Sequence, residues 1–172
     1  MSPKEAMDSR EDDRLSRTFR LPSNEGDDRL EGTLLRPVRI REEPCLVLEL
    51  RSKGDAFNRD GSPPDEVMED YAFQLFQVVV SRDRMDELLG HLRRWQTAPE
   101  DFSVDLEPEG HAATFTMEVG MREDMRCGPG KPAFTLYYSS VKNRVEVTFI
   151  VDPSCLQEWA DTLEKALATV VS

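Results

Sequence analysis

Two amphipathic helices that each follow an apolar strand constrain the fold of this chain more than any other feature. The first is predicted over about residues 82–97, after an apolar stretch that ends at Ser81. The second is predicted over about residues 153–170, where Asp152 can cap the helix and Pro153 takes its first position. Apolar residues recur at three-to-four spacing in both helices, so each helix buries one face against a sheet.

The other apolar segments are short and alternate or run continuously, which is typical of strands. They lie at about residues 34–40, 45–50, 71–81, 102–106, 113–119, 133–138 and 145–151. This pattern predicts an α+β fold: a mostly antiparallel sheet of six to eight strands with both helices on one face.

The N-terminal segment has a different composition from the rest of the chain. Residues 1–28 are dense in charge and poor in apolar side chains, so they cannot offset their ordering entropy by burial. We therefore predict a mobile charged segment over residues 1–28, within which residues 17–21 could dock as an edge strand. Residues 29–172 are predicted to form a single α+β domain.

Two short stretches hold the net charge of −12. Residues 60–70 contain five carboxylates and no Lys or Arg, and residues 100–124 contain eight carboxylates against one Arg. Such local excess predicts steering toward a basic protein partner. The alternative is a solvated acidic surface that keeps the protein soluble.

These observations give a set of candidate partner-binding residues. Two adjacent tyrosines join the acids because neighbouring strand residues point to opposite faces, so one ring must face outward, where Tyr often contributes to binding. The candidates are Asp65, Glu66, Glu100, Asp101, Asp105, Glu107, Glu109, Glu123, Asp124, Tyr137 and Tyr138.

Composition also excludes classes of partner. A pI near 4.7 without a basic stripe predicts no nucleic-acid partner. No apolar run approaches the ~18 residues of a membrane span, so no membrane partner is expected. Three widely spaced cysteines and a charged N-terminus without a signal peptide favour the cytoplasm.

No arrangement of residues points to catalysis, and we predict no catalytic residue, no metal site and no cofactor. His91 lies on the flank of the first helix, and His111 lies in a turn after Glu107 and Glu109. Cys127 lies near arginines but has no histidine close in sequence. The chain is therefore expected to bind a partner and not to act as an enzyme.

A helix with a leucine–tryptophan face is followed by a strand that ends in a Leu-Glu-Pro turn and then by another strand. The residues concerned are Leu88, Leu89, Leu92 and Trp95, then Val104 to Pro108, then Phe115. Over about residues 71–171 the chain resembles the immunity proteins of bacterial polymorphic toxin systems, particularly the WapI-immunity family. The resemblance implies a cytoplasmic inhibitor that blocks the active site of a cognate toxin. The alternative is a secretion chaperone for a bacterial effector.

Overall fold

A computed structural model describes residues 2–22, 29–53, 74–121, 132–142 and 144–170. The helices are α1 (Pro3–Ser16), α2 (Arg82–Trp95) and α3 (Pro153–Thr169). The strands are β1 (Thr18–Pro22), β2 (Arg29–Ile40), β3 (Glu43–Lys53), β4 (Gln74–Ser81), β5 (Phe102–Asp105), β6 (Thr114–Met121), β7 (Pro132–Ser139) and β8 (Arg144–Ile150).

The strands of the described residues form two antiparallel sheets and not one. The first has the order β1-β2-β3-β4 and the second β5-β6-β7-β8. The α+β class and the antiparallel pairing are confirmed, whereas the single sheet and the count of two helices are corrected. Helix α2 separates β4 from β5 and carries the chain from one sheet to the other. Alternating burial shows which face of a strand points inward but not which strands pair with it, so the sequence pattern could not reveal the division into two sheets.

One apolar core lies between the inner faces of both sheets and the apolar sides of α2 and α3. Leu88 and Leu92 of α2 and Trp159 of α3 are fully buried there. The Trp159 ring meets the Phe134 ring of β7 edge-on, with centroids 5.0 Å apart. Thus the two helices pack on both sheets, and the two strand–helix units belong to different sheets.

Strand β1 lies within the segment predicted to be mobile. It is the edge strand of the first sheet, paired with β2, as expected for residues 17–21. Phe19 and Leu21 are fully buried in the core. The mobility of the segment and the domain division at residue 28 stay predictions.

The helix ends follow the predicted signals in one case and not in the other. Asp152 caps α3, because its Oδ1 accepts from Ser154 N at 2.9 Å and Cys155 N at 3.1 Å. Ser81 takes the same position before α2, but its buried hydroxyl forms no hydrogen bond. Helix α2 also ends at Trp95, before the predicted residue 97.

Backbone hydrogen bonds connect the two sheets at the end of β5. The Ser81 N–H donates to the Leu106 carbonyl at 2.8 Å, and the Leu106 N–H donates to the Phe115 carbonyl at 2.7 Å. The last residue of β4 is therefore fixed beside β5 and β6. This contact brings one end of each sheet together and creates a concave surface between them.

Candidate functional site

An open cleft of about 370 Å³ lies where the two sheets meet. Its volume falls within the range of small-ligand pockets, about 300–1,000 Å³. Polar and aromatic side chains from both sheets line it, mixed with apolar ones. Six of the lining residues are Arg36, Gln77, Val79, Glu107, His111 and Tyr138. We call this the inter-sheet cleft.

The first sheet supplies the basic wall of the inter-sheet cleft. The pairing of β2 with β3 shifts between Leu34 and Arg36, which is a β-bulge. A bulge changes the direction in which the following side chains point, and after it Arg36 lies opposite Val47. Gln77 of β4 is exposed on the same wall. The bulge therefore places the Arg36 guanidinium on the same wall of the cleft as the Gln77 amide.

The second sheet supplies the opposite wall. Glu107 is half-buried and its Oε2 accepts from the Phe115 N–H at 3.0 Å. His111 Nδ1 accepts from the Ala113 N–H at 3.3 Å, which fixes the imidazole against its own backbone turn. The Tyr138 ring packs 5.4 Å from Phe76 of the first sheet, measured between centroids. Each of these side chains is thus held by a contact within the fold.

The turn between β2 and β3 extends this site. Arg41 and Glu42 have φ values of 49° and 70°, so both central residues of the turn are left-handed. Glu43 Oε2 accepts from the Glu109 N–H at 3.1 Å. A β-carbon on Gly110, whose φ is 73°, would lie 2.9 Å from Arg41 Nη1. The turn therefore contacts the 107–111 segment beside His111.

Three arginines of this region form no ion pair with the described residues: Arg36, Arg39 and Arg41. Arg39 Nη1 donates to the Glu42 carbonyl at 3.0 Å. All three are exposed, whereas Arg14, Arg17 and Arg93 are held by carboxylates elsewhere. Among the described residues, no carboxylate therefore occupies their guanidinium groups, which suits them to bind an external anion.

These three arginines are absent from the predicted site, although a signal for them was present. The segment 36–41 contains three Arg and no acid, in a chain whose acids outnumber its bases by 34 to 22. Acidic excess dominates the local charge of this chain and hides so short a basic stretch. The convergence of β2 with the 107–111 turn is tertiary and has no sequence signature.

The candidate acids are dispersed over the described surface. Glu100, Asp101, Asp105 and Glu109 are exposed, and only Glu107 lines the inter-sheet cleft; Asp65, Glu66, Glu123 and Asp124 lie outside the described residues.

Two of the exposed acids stabilise the second sheet locally. Asp101 Oδ1 accepts from the Met121 N–H at 3.2 Å. Asp105 Oδ1 accepts from the Thr116 hydroxyl at 2.8 Å. These contacts give both carboxylates a role within the fold, while partner binding by the acids stays a prediction.

The adjacent tyrosines occupy opposite faces of β7. Tyr138 packs between Phe76 and Phe115, with its centroid 6.2 Å from that of Phe115. Tyr137 lies on the outer face, where the Arg144 guanidinium carbon is 5.5 Å from its ring centroid. The prediction that one ring would face outward is consistent with this arrangement. The ring at the cleft is the inward one, Tyr138.

The groups considered for catalysis are held in structural contacts. The His91 ring stacks on Phe102 with centroids 5.0 Å apart. Cys45 and Cys155 are buried free thiols, and burial raises the pKa of both. Cys127 lies outside the described residues. Among the residues that the structure describes, no three His, Cys, Asp or Glu converge as metal ligands.

In the described part of the chain, the helices are too short or too polar to cross a bilayer.

No protein-family model and no curated protein matches this chain. Solved structures do match its fold. WHY1 from Arabidopsis thaliana has a TM-score of 0.51 and 11% identity, with 90% of each chain covered. The plant transcriptional regulator PBF-2 has a TM-score of 0.46 and 9% identity, covering 89% of this chain and 81% of that one. WHY3 from Arabidopsis thaliana has a TM-score of 0.43 and 11% identity, covering 89% and 87%.

These neighbours correct the predicted function. The prediction of a bacterial toxin inhibitor is wrong, as is the alternative of a secretion chaperone. The prediction of a basic protein partner and no nucleic-acid partner is also wrong. WHY1, whose fold the chain shares, is from the plant Arabidopsis thaliana. A helix followed by a Leu-Glu-Pro turn fits many folds with strand–helix–strand order, which is why it misdirected the inference. The resemblance to the immunity family itself stays a prediction. The chain has the fold of WHY1.

Proposed function

We propose that this chain binds single-stranded nucleic acid at the inter-sheet cleft. The observation that carries the proposal is the set of three exposed arginines without carboxylate partners among the described residues, Arg36, Arg39 and Arg41, beside a ligand-sized cleft. A guanidinium presents forked donors that match phosphate oxygens. Phosphate contacts of this kind position a nucleic acid on a protein.

The form of the cleft favours a single strand over a duplex. A cavity of about 370 Å³ admits an unstacked base, whereas a duplex keeps its bases stacked inside. Tyr138 and His111 line the cleft and offer rings on which such a base can stack. Arginines at and beside the cleft and aromatic rings inside it match the two components of single-strand binding sites.

The net charge of −12 acts against this binding at long range. Attraction must therefore come from the arginines at short range, and we expect affinity to fall steeply with salt. The buried free thiols Cys45 and Cys155 are compatible with a reducing compartment, and we propose the cytoplasm.

The test is fluorescence anisotropy of a labelled single-stranded DNA of mixed sequence with the full chain, over a range of salt. The triple variant Arg36→Ala, Arg39→Ala, Arg41→Ala should bind at least about tenfold more weakly. Its slope of log affinity against log salt should be shallower by about 1.4, since Arg39 and Arg41 each account for a phosphate contact worth about 0.7.

The matched control removes three positive charges elsewhere: Lys4→Ala, Arg10→Ala, Lys165→Ala, all exposed and remote in sequence from the cleft. It should retain near-native affinity. Equal weakening in both triple variants would mean that only net charge matters, and it would overturn the proposed site. Absence of binding by the native chain at low salt would overturn the function.

A further inference from the structure

We infer that the inter-sheet cleft selects guanine over thymine and uracil in a single strand. The inference rests on the proposed function and specifies its ligand. It comes from the two charged side chains that line the cleft, Arg36 and Glu107, which require opposite hydrogen-bonding groups on one ligand.

Arg36 and Glu107 do not neutralise one another. No ion pair within 4.0 Å joins them, although both line the same cleft. Glu107 Oε2 is used by the Phe115 N–H, and Oε1 forms no hydrogen bond with the described residues. The Arg36 guanidinium likewise has no partner among them. The cleft therefore presents forked donors on one wall and a free carboxylate oxygen on the other.

Guanine is the base that satisfies both groups most fully. Its O6 and N7 are adjacent acceptors, which a guanidinium contacts in bidentate fashion. Its N1–H and N2 amino group are donors on the neighbouring edge, which suit a carboxylate. Thymine and uracil offer one imino donor between two carbonyl oxygens, and those oxygens would repel the Glu107 carboxylate.

The remaining lining residues are compatible with a flat base. The Tyr138 and His111 side chains are each restrained by contacts, Tyr138 against Phe76 and His111 to the Ala113 N–H. Restrained rings lose little side-chain entropy when a base stacks on them. Gln77 carries both a donor and an acceptor, so it adds no preference against guanine.

The test uses thymidine oligomers with one central base: guanine, inosine, 7-deazaguanine or thymine. Inosine lacks the N2 amino group, and 7-deazaguanine lacks the N7 acceptor. For the native full chain we expect the guanine oligomer to bind about tenfold more tightly than the thymine oligomer, with both analogues in between.

Two variants assign each preference to its side chain. Glu107→Gln should abolish the difference between guanine and inosine and retain that between guanine and 7-deazaguanine. Arg36→Gln should abolish the difference between guanine and 7-deazaguanine and retain that between guanine and inosine. Glutamine can still accept from the Phe115 N–H, so the fold at this position is kept. Glu146→Gln, at an exposed acid of β8, is the control and should leave all preferences unchanged.

The outcomes separate this inference from the proposed function. Equal affinity of the native chain for all four oligomers would overturn guanine selection and leave single-strand binding intact. Absence of binding to any oligomer would overturn both. A guanine preference that survives Glu107→Gln and Arg36→Gln would place base recognition elsewhere and would also overturn the inference.

Discussion

Gly32 lies opposite Phe19 in the pairing of β1 with β2, and the aromatic ring fills the space where a side chain would begin. A β-carbon on Gly32 would lie 2.1 Å from Phe19 Cζ, far inside van der Waals contact. Phe19 is itself fully buried. Gly90 of α2 is the opposite case, because a β-carbon there would meet nothing within 4 Å beyond the backbone of its own helix.

Alanine at these two glycines should therefore change stability in opposite directions. Gly32→Ala overpacks the core and should destabilise the fold by about 1–3 kcal/mol. Gly90→Ala removes a poor helix former and should stabilise it by about 1 kcal/mol. Urea unfolding followed by circular dichroism measures both. Similar destabilisation in the two variants would contradict the packing described around Phe19.

Asp152 gives the stability a dependence on pH. Hydrogen bonds from Ser154 and Cys155 hold the pKa of its carboxyl below the ordinary value of 3.8. A carboxyl whose pKa is lower in the folded state stabilises above its unfolded pKa and loses that contribution as pH falls through the folded value. Asp152→Ala should therefore cost about 1 kcal/mol at pH 7.

That cost should shrink as pH falls below about 4, where the native carboxyl protonates. Unfolding free energies of both proteins, measured across this range, test the expectation. Glu100→Ala, which removes an exposed acid outside the helices, serves as the control and should show no such trend. A cost for Asp152→Ala that does not vary with pH would rule out the charged cap.

At the scale of elements, the turn between β2 and β3 has a strained backbone and also carries Arg41, one of the arginines proposed to bind nucleic acid. Its two central residues, Arg41 and Glu42, are both left-handed, as a type I′ hairpin turn requires. Asn-Gly is the preferred sequence for such a turn, and side chains other than Gly or Asn pay about 1–2 kcal/mol there. The turn thus keeps an arginine at a position where the backbone disfavours it.

Replacing Arg41-Glu42 by Asn-Gly should raise the free energy of unfolding by about 1 kcal/mol and weaken nucleic-acid binding. Glu42→Gly alone relieves strain and retains the arginine, so it should raise stability without weakening binding. Thermal melting and anisotropy on the same samples separate the two effects. Weaker binding by Glu42→Gly would show that turn geometry, and not the Arg41 charge, is what matters.

At the scale of the whole molecule, the N-terminal residues divide into two parts. Helix α1 leaves Met7 and Leu15 exposed, and its Arg14 makes an ion pair with Glu49 at 2.7 Å. An ion pair with a partly exposed partner adds little to stability. The following β1 contributes two fully buried side chains, Phe19 and Leu21. Only the second part belongs to the core.

Deletion of residues 1–15 should therefore leave the melting temperature within a few degrees of the native value. Deletion of residues 1–22 removes β1 and its two core side chains, and it should abolish cooperative unfolding. Circular dichroism melting curves of the two truncated chains make the comparison. A large loss in the shorter deletion would assign α1 a packing role.

The sequence was sufficient to predict most elements of this fold. Three-to-four spacing located α2 and α3, and the Asp152–Pro153 signal fixed the start of α3 correctly. These features depend on residues close in sequence. The division into two sheets depends on which strands pair, and identical burial patterns are compatible with several pairings.

The site was less predictable than the fold. Acidic stretches dominate the charge along the sequence, yet only Glu107 of the described acids lines the cleft. Arg36 reaches it through a bulge, and His111 through a turn that meets the β2–β3 hairpin. Both arrangements bring together residues far apart in the chain, as the contact between Glu43 and Glu109 illustrates with a separation of 66.

The packing of β1 against α3 has a consequence for synthesis of the chain. The Arg20 N–H donates to the Thr162 hydroxyl across a separation of 142 residues. Because translation proceeds from the N-terminus, Phe19 and Leu21 leave the ribosome long before the helix that covers them. The apolar face of β1 therefore stays uncovered by α3 until residues 153–169 have been synthesised, and such distant contacts slow folding. An apolar face left open in this way exposes the nascent chain to aggregation.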